Sequence, residues 1–73
     1  MINKQLNEIY DHFLGLGKSN SLKEIRDYFN DHEEWKIAKI DNDSIMVKSE
    51  EKKVIVSILK SVTGIPSVAL ATY

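Results

Sequence analysis

Apolar residues at the start of the chain recur at three- and four-residue steps: Ile2, Leu6, Ile9, Tyr10, Phe13 and Leu14. Lys4, Asn7, Glu8 and Asp11 fill the intervening positions. This spacing gathers the apolar set on one side of a helix. The pattern predicts a helix over 3–15, capped by Asn3 and stopped by Gly15 and Gly17, because glycine readily takes the left-handed conformation that ends helices. A short polar linker follows. Ser21-Leu22-Lys23-Glu24 then has the form of a capping box, in which the serine hydroxyl and the glutamate carboxylate each accept from the other residue's backbone amide. A second helix is predicted over 21–31, with Leu22, Ile25, Tyr28 and Phe29 as its apolar face.

From Trp35 the period changes from helical to alternating. Runs rich in Ile and Val predict strands over 35–40, 44–49, 53–60 and 67–72. Asp41-Asn42-Asp43 and Glu50-Glu51-Lys52 separate the first three with turn-forming residues. In the third run Val54, Val56 and Ile58 share one face, and Ile55 and Leu59 the other. Apolar residues on both faces predict a central strand. Lys52, Lys53 and Lys60 bracket this aggregation-prone window as gatekeepers do. Pro66 has no amide hydrogen and suits the entry of the last strand, where Val68 and Leu70 alternate with Ala69, Ala71 and Tyr73. The resulting expectation is one α+β domain over 1–73, ααββββ, with two helices on an antiparallel meander of three to four strands.

A competing arrangement turns on the segment from Asp31 to Ile40. Asp31 and Glu34 could cap a third helix, and three helices before a β-hairpin is the order of a winged helix-turn-helix, a DNA-binding fold. Lys36 and Lys39 would then enter the groove, with Lys48, Lys52 or Lys53 on the wing. The strand assignment is preferred because Trp35, Ile37 and Ile40 make a poor helical stripe. Arg26 and Asp31 also stand where that motif needs a small and an apolar residue, and Glu33 and Glu34 would repel phosphates.

Ten Lys and Arg against eleven Asp and Glu give a formal charge of −1. That balance lacks the basic excess common in nucleic-acid binders. Seventy-three residues without a cysteine leave no disulfide, thiolate metal site or sulfur redox chemistry to support a small core. No apolar run reaches the ~20 residues of a membrane span, and polar residues interrupt the first segment where a signal peptide would be apolar. A cytoplasmic protein is expected.

Catalytic equipment is not legible. Gly15-Leu16-Gly17-Lys18-Ser19 lacks the first glycine and the preceding strand of a phosphate loop. Asp31-His32-Glu33-Glu34 points its side chains in different directions, and both histidines are expected to face solvent, so no metal, cofactor or catalytic residue is predicted. Two features suggest binding instead. The carboxylates Asp31, Glu33 and Glu34 at the end of the second helix, with Asp41 and Asp43 in the first turn, could meet a basic partner, although turn carboxylates are ordinarily just solvated. The run from Ser61 to Tyr73 holds no ionisable side chain. It predicts burial in the core or against another chain, with Val68, Leu70 and Tyr73 as contact residues. The expected function is a small non-enzymatic protein-binding module that forms a homodimer, with no membrane partner and with nucleic acid disfavoured. Its Lys-, Asn- and Ile-rich composition resembles that of compact phage and mobile-element products that inhibit host replication, transcription or defence factors. The alternatives are a winged-helix DNA binder and an accessory subunit of a larger assembly.

Overall fold

The computed structural model describes residues 3–61 and 63–73. Ile2, expected on the first helical stripe, and the Asn3 side chain, expected to cap it, lie outside the described residues. The element order is α1 (Asn3–Ser19), α2 (Leu22–Asn30), β1 (Lys36–Ile40), β2 (Ser44–Ser49), β3 (Val54–Lys60) and β4 (Pro66–Thr72). The strands form one antiparallel meander in the order β1-β2-β3-β4. This is the ααββββ arrangement that the periodicity predicts. The segment a winged helix would use for recognition is β1, paired through Ile37↔Val47 and Ile40↔Ile45, so that alternative is replaced.

Both helices lie on the same face of the sheet, α1 over β3 and β4 and α2 over β1 and β2. Strand alternation supplies the matching face. Val47 and Ile45 of β2 stand beside Val56 and Ile58 of β3, and Leu70 and Val68 of β4 complete the two rows. Phe13, Ile25 and Phe29 reach this layer from the helices and are essentially inaccessible. The rings of Phe13 and Phe29 stack with centroids 5.5 Å apart, and Trp35 meets Phe13 edge-on at 5.0 Å. That contact joins α1, α2 and the entry to β1, with ring geometries that favour aromatic pairs.

The capping box is formed. Ser21 Oγ accepts from the Glu24 amide at 3.2 Å, and Glu24 Oε1 accepts from the Ser21 amide at 2.8 Å. The backbone hydrogen bond from Ser21, then its hydroxyl contact, hold the Glu24 carboxyl below its ordinary range. The stabilisation from this pair is therefore present at neutral pH and lost as pH falls through the lowered value.

The expected end of α1 differs from the observed one. The helix runs through Gly15 and Gly17 to Ser19, and Asn20 closes it by donating backbone and side-chain N–H groups to the Leu16 carbonyl. Gly17 has a packing reason instead. A Cβ there would lie 2.7 Å from Pro66 Cβ and 3.5 Å from Ile58 Cγ2, so glycine lets α1 settle against the start of β4. A Cβ at Gly15 would meet no described atom within 4 Å beyond its own helix backbone. The two glycines should therefore respond oppositely to the same change. Gly15→Ala should raise stability by about 0.5–1 kcal/mol through helix propensity. Gly17→Ala should lower it despite the same propensity gain. Urea unfolding of both variants checks the difference in sign.

Candidate functional site

The sequence offers two candidate surfaces, and the fold treats them differently. Asp31, Glu33 and Glu34 sit in the connection entering β1, whereas Asp41 and Asp43 lie in the turn leaving it. The length of β1 separates the two groups, roughly 16 Å at ~3.3 Å per residue. They do not form one acidic patch. Asp41 Oδ2 lies 3.8 Å from Lys39 Nζ and accepts from Ser44 Oγ at 3.4 Å. It also shares a surface hollow with Lys23 and Arg26. Glu34 forms a hydrogen-bonded ion pair with Lys52, which ties the α2–β1 connection to the β2–β3 turn. Asp31, Glu33 and Asp43 are exposed.

The histidine expectation is also corrected. His12 is exposed, but His32 is half-buried. His32 Nδ1 accepts from the amides of both Glu34 and Trp35 at 3.2 Å, so the ring organises the entry to β1. Among the described residues no three His, Asp or Glu side chains converge into a metal-binding group. No helix among them is long and apolar enough to cross a membrane.

The charge-free segment becomes β4, an edge strand. Val68 and Leu70 are half-buried and pack against the core cluster. Tyr73 folds back across the sheet, where its hydroxyl donates to the Ser49 carbonyl at 3.3 Å and Lys48 Nζ stands 5.2 Å from its ring centroid. It keeps 53 % of its surface exposed.

Sequence reasoning missed the larger consequence of placing both helices on one side. Among the described residues, no element packs over the opposite face of the sheet. Register places Lys36, Lys48, Ile55 and Ala71 in one row across it, Lys39, Met46, Ser57 and Ala69 in the next, and Ser44, Leu59 and Ser67 in a third. Its β1 side carries lysines, and its β3–β4 side carries only apolar and small uncharged residues. Leu59 is 43 % exposed. The signal was present in the sequence: four runs with apolar residues on alternate faces cannot all be covered by two short helices.

No family model, curated protein or solved structure matches the chain.

The Glu34–Lys52 pair makes a prediction about pH. The hydrogen bond with Glu34 is the main reason the Lys52 ammonium is held above its ordinary range, with desolvation opposing and nearby carboxylates adding. A raised lysine value means the pair stabilises the fold fully below the unfolded-state value and ceases to do so as pH rises through the folded-state one. Both side chains retain about a third of their exposure (31 % and 29 %), so screening keeps the effect small. Glu34→Gln should cost less than about 1 kcal/mol at neutral pH. The gap from wild type should close above about pH 10.5, as read by urea unfolding at both pH values.

Proposed function

We propose that this protein is a non-enzymatic protein-binding module whose uncovered sheet face meets a larger partner. The observation that carries the reading is the one-sided sheet. Met46, Ile55 and Leu59 stand on a face without a covering layer, among Ser57, Ala69 and Ala71. Leu59 is exposed and Met46 and Ile55 are half-buried. Partly exposed apolar residues grouped among small ones on a sheet face suit macromolecular contact, because side chains of a partner can approach the backbone closely. The lysines along the β1 side favour a partner with carboxylates at the rim. Small size supports the same reading, since the hollows described among Leu22, Arg26 and Asp41, and among Gln5, Lys52 and Tyr73, are open to solvent rather than enclosed as small-substrate sites are.

The biological setting that fits this chemistry is a compact phage or mobile-element protein that occupies and inhibits a host replication, transcription or defence factor. An accessory subunit would use the same face with a permanent partner. A cytoplasmic location belongs to the same proposal.

Affinity capture from a lysate of the source organism, using wild type and the double variant Met46→Lys with Leu59→Lys, tests it. The variant should keep the wild-type circular dichroism spectrum and lose the partner recovered by wild type. An unchanged set of captured proteins would move the binding surface elsewhere, and turnover of a small molecule by the pure protein would overturn the non-enzymatic reading.

A further inference from the structure

The two edges of the sheet are unlike. On β1 the pairing register shifts between Ile37 and Lys39, and Lys36 and Lys39 stand on the strand. A bulge and lysines are devices that discourage further pairing. Strand β4 has neither. Its pairing to β3 is continuous from Lys60↔Pro66 to Val54↔Thr72, and no charge lies on it.

Its hydrogen-bonding phase is fixed at both ends. The Ser61 amide donates to the Ile65 carbonyl, and the Tyr73 amide donates to the Lys53 carbonyl. Residues 65, 67, 69, 71 and 73 therefore turn their backbone groups toward β3. The amides of Val68, Leu70 and Thr72, and the carbonyls of Pro66, Val68 and Leu70, point away from the sheet.

The geometry points to a second copy of this chain as the occupant of that edge, paired antiparallel about a two-fold axis at Ala69. In this register Val68 and Leu70 of each copy exchange both backbone bonds with Leu70 and Val68 of the other. Thr72 donates to the Pro66 carbonyl of the second copy, and the missing Pro66 amide leaves one acceptor in each copy, the Thr72 carbonyl, without a strand partner. Ala69 faces its own counterpart, and Ser67 faces Ala71. No charge meets a like charge along the strands.

The helix layer fits the same axis. Gly17 lies against Pro66, while Gln5 and Leu6 border one hollow with Thr72 and Tyr73, so α1 runs antiparallel to β4. The midpoint of β4, Ala69, is therefore abreast of the stretch between Tyr10 and Leu14. Phe13 faces Phe29 and Trp35. At 100° per residue that direction leaves Leu14 on the flank turned away from α2, with Tyr10 beneath it. Tyr10 is 39 % exposed, Leu14 is half-buried, and neither belongs to the core cluster.

Because α1 sits over β3 and β4, strands ~4.8 Å apart place its axis about 5 Å from the two-fold. Its counterpart is then about 10 Å away, at the upper end of helix-packing distances. Tyr10 of each copy meets Leu14 of the other. Asp11 approaches its own counterpart only on the solvent side, where water and salt screen it. A strand edge alone falls short of the ~800 Å² per partner of a stable interface, and the helix pair supplies additional area.

This assignment goes beyond the module reading and uses the β4 edge and α1 flank rather than Met46 and Leu59, so either can fail alone. Sedimentation equilibrium of the full chain at tens of micromolar should give twice the chain mass. Ala69→Lys and Ala69→Glu should each weaken self-association about tenfold or more by placing like charges face to face, and mixing the two should restore the dimer. Ala69 stands on the uncovered face, so folding should be unchanged by circular dichroism. If either variant unfolds, Tyr10→Lys, on an exposed position, makes the same test. The chain has no cysteine, so Ala69→Cys should oxidise to a single covalent dimer, because this non-hydrogen-bonded pair brings Cα atoms to about 4.5 Å. A monomeric wild type at these concentrations would overturn the inference, as would a dimer whose affinity neither charge variant changes.

Discussion

Two helices must cover four strands, and they can do so on one face only. The whole molecule follows from that constraint. The core is a single layer in which Phe13 and Phe29 stack between the helices, Trp35 closes one side, and Val56 and Ile58 form the floor at no measurable exposure. With no cysteine to cross-link it, the domain depends on the fit of this layer, as small cores do. Gly17 shows how close the fit is, since a single methyl group there would meet the Pro66 ring. The same constraint leaves the reverse of the sheet without a covering layer among the described residues.

Most of the architecture was legible because the period of burial changes once, at Trp35. Before it, Ile9, Phe13, Ile25 and Phe29 follow helical spacing. After it, Ile45, Val47, Val54, Val56 and Ile58 alternate strictly with residues of the other face. Ser21 and Glu24 announce the second helix by local chemistry alone. What escaped was decided by tertiary contact. Gly15 and Gly17 look like a stop signal, yet packing against β4 carries α1 through both to Ser19. His32 looks like a solvated residue, but its imidazole accepts two amides that the turn into β1 would otherwise leave without a side-chain partner.

The candidate site was legible in part. The charge-free segment forms a strand, as its alternation predicts, but the burial expected of it is only partial: among its described residues Pro66, Val68 and Leu70 are half-buried and the rest are exposed. Val68 and Leu70 belong to the core layer, and the strand's outward chemistry is its backbone. The acidic residues were grouped by sequence proximity, a poor guide here, because β1 holds Glu34 and Asp41 at opposite ends and each has a lysine beside it. The uncovered face was implicit in four strands with apolar residues on both faces and only two helices to cover them, but its consequence was not drawn from the sequence.

The irregular, lysine-bearing β1 edge has a consequence for the size of any assembly. Strand-to-strand addition is open-ended when both edges of a sheet accept a neighbour, and it then yields fibres. Here β4 is regular and uncharged, whereas β1 is bulged and carries lysines. If two copies join through β4, both outer rims of the eight-stranded product are β1 rims, and growth terminates at the first step. The bulge at Ala38 would act as a stop codon written in geometry, confining a sticky edge to a closed, countable particle.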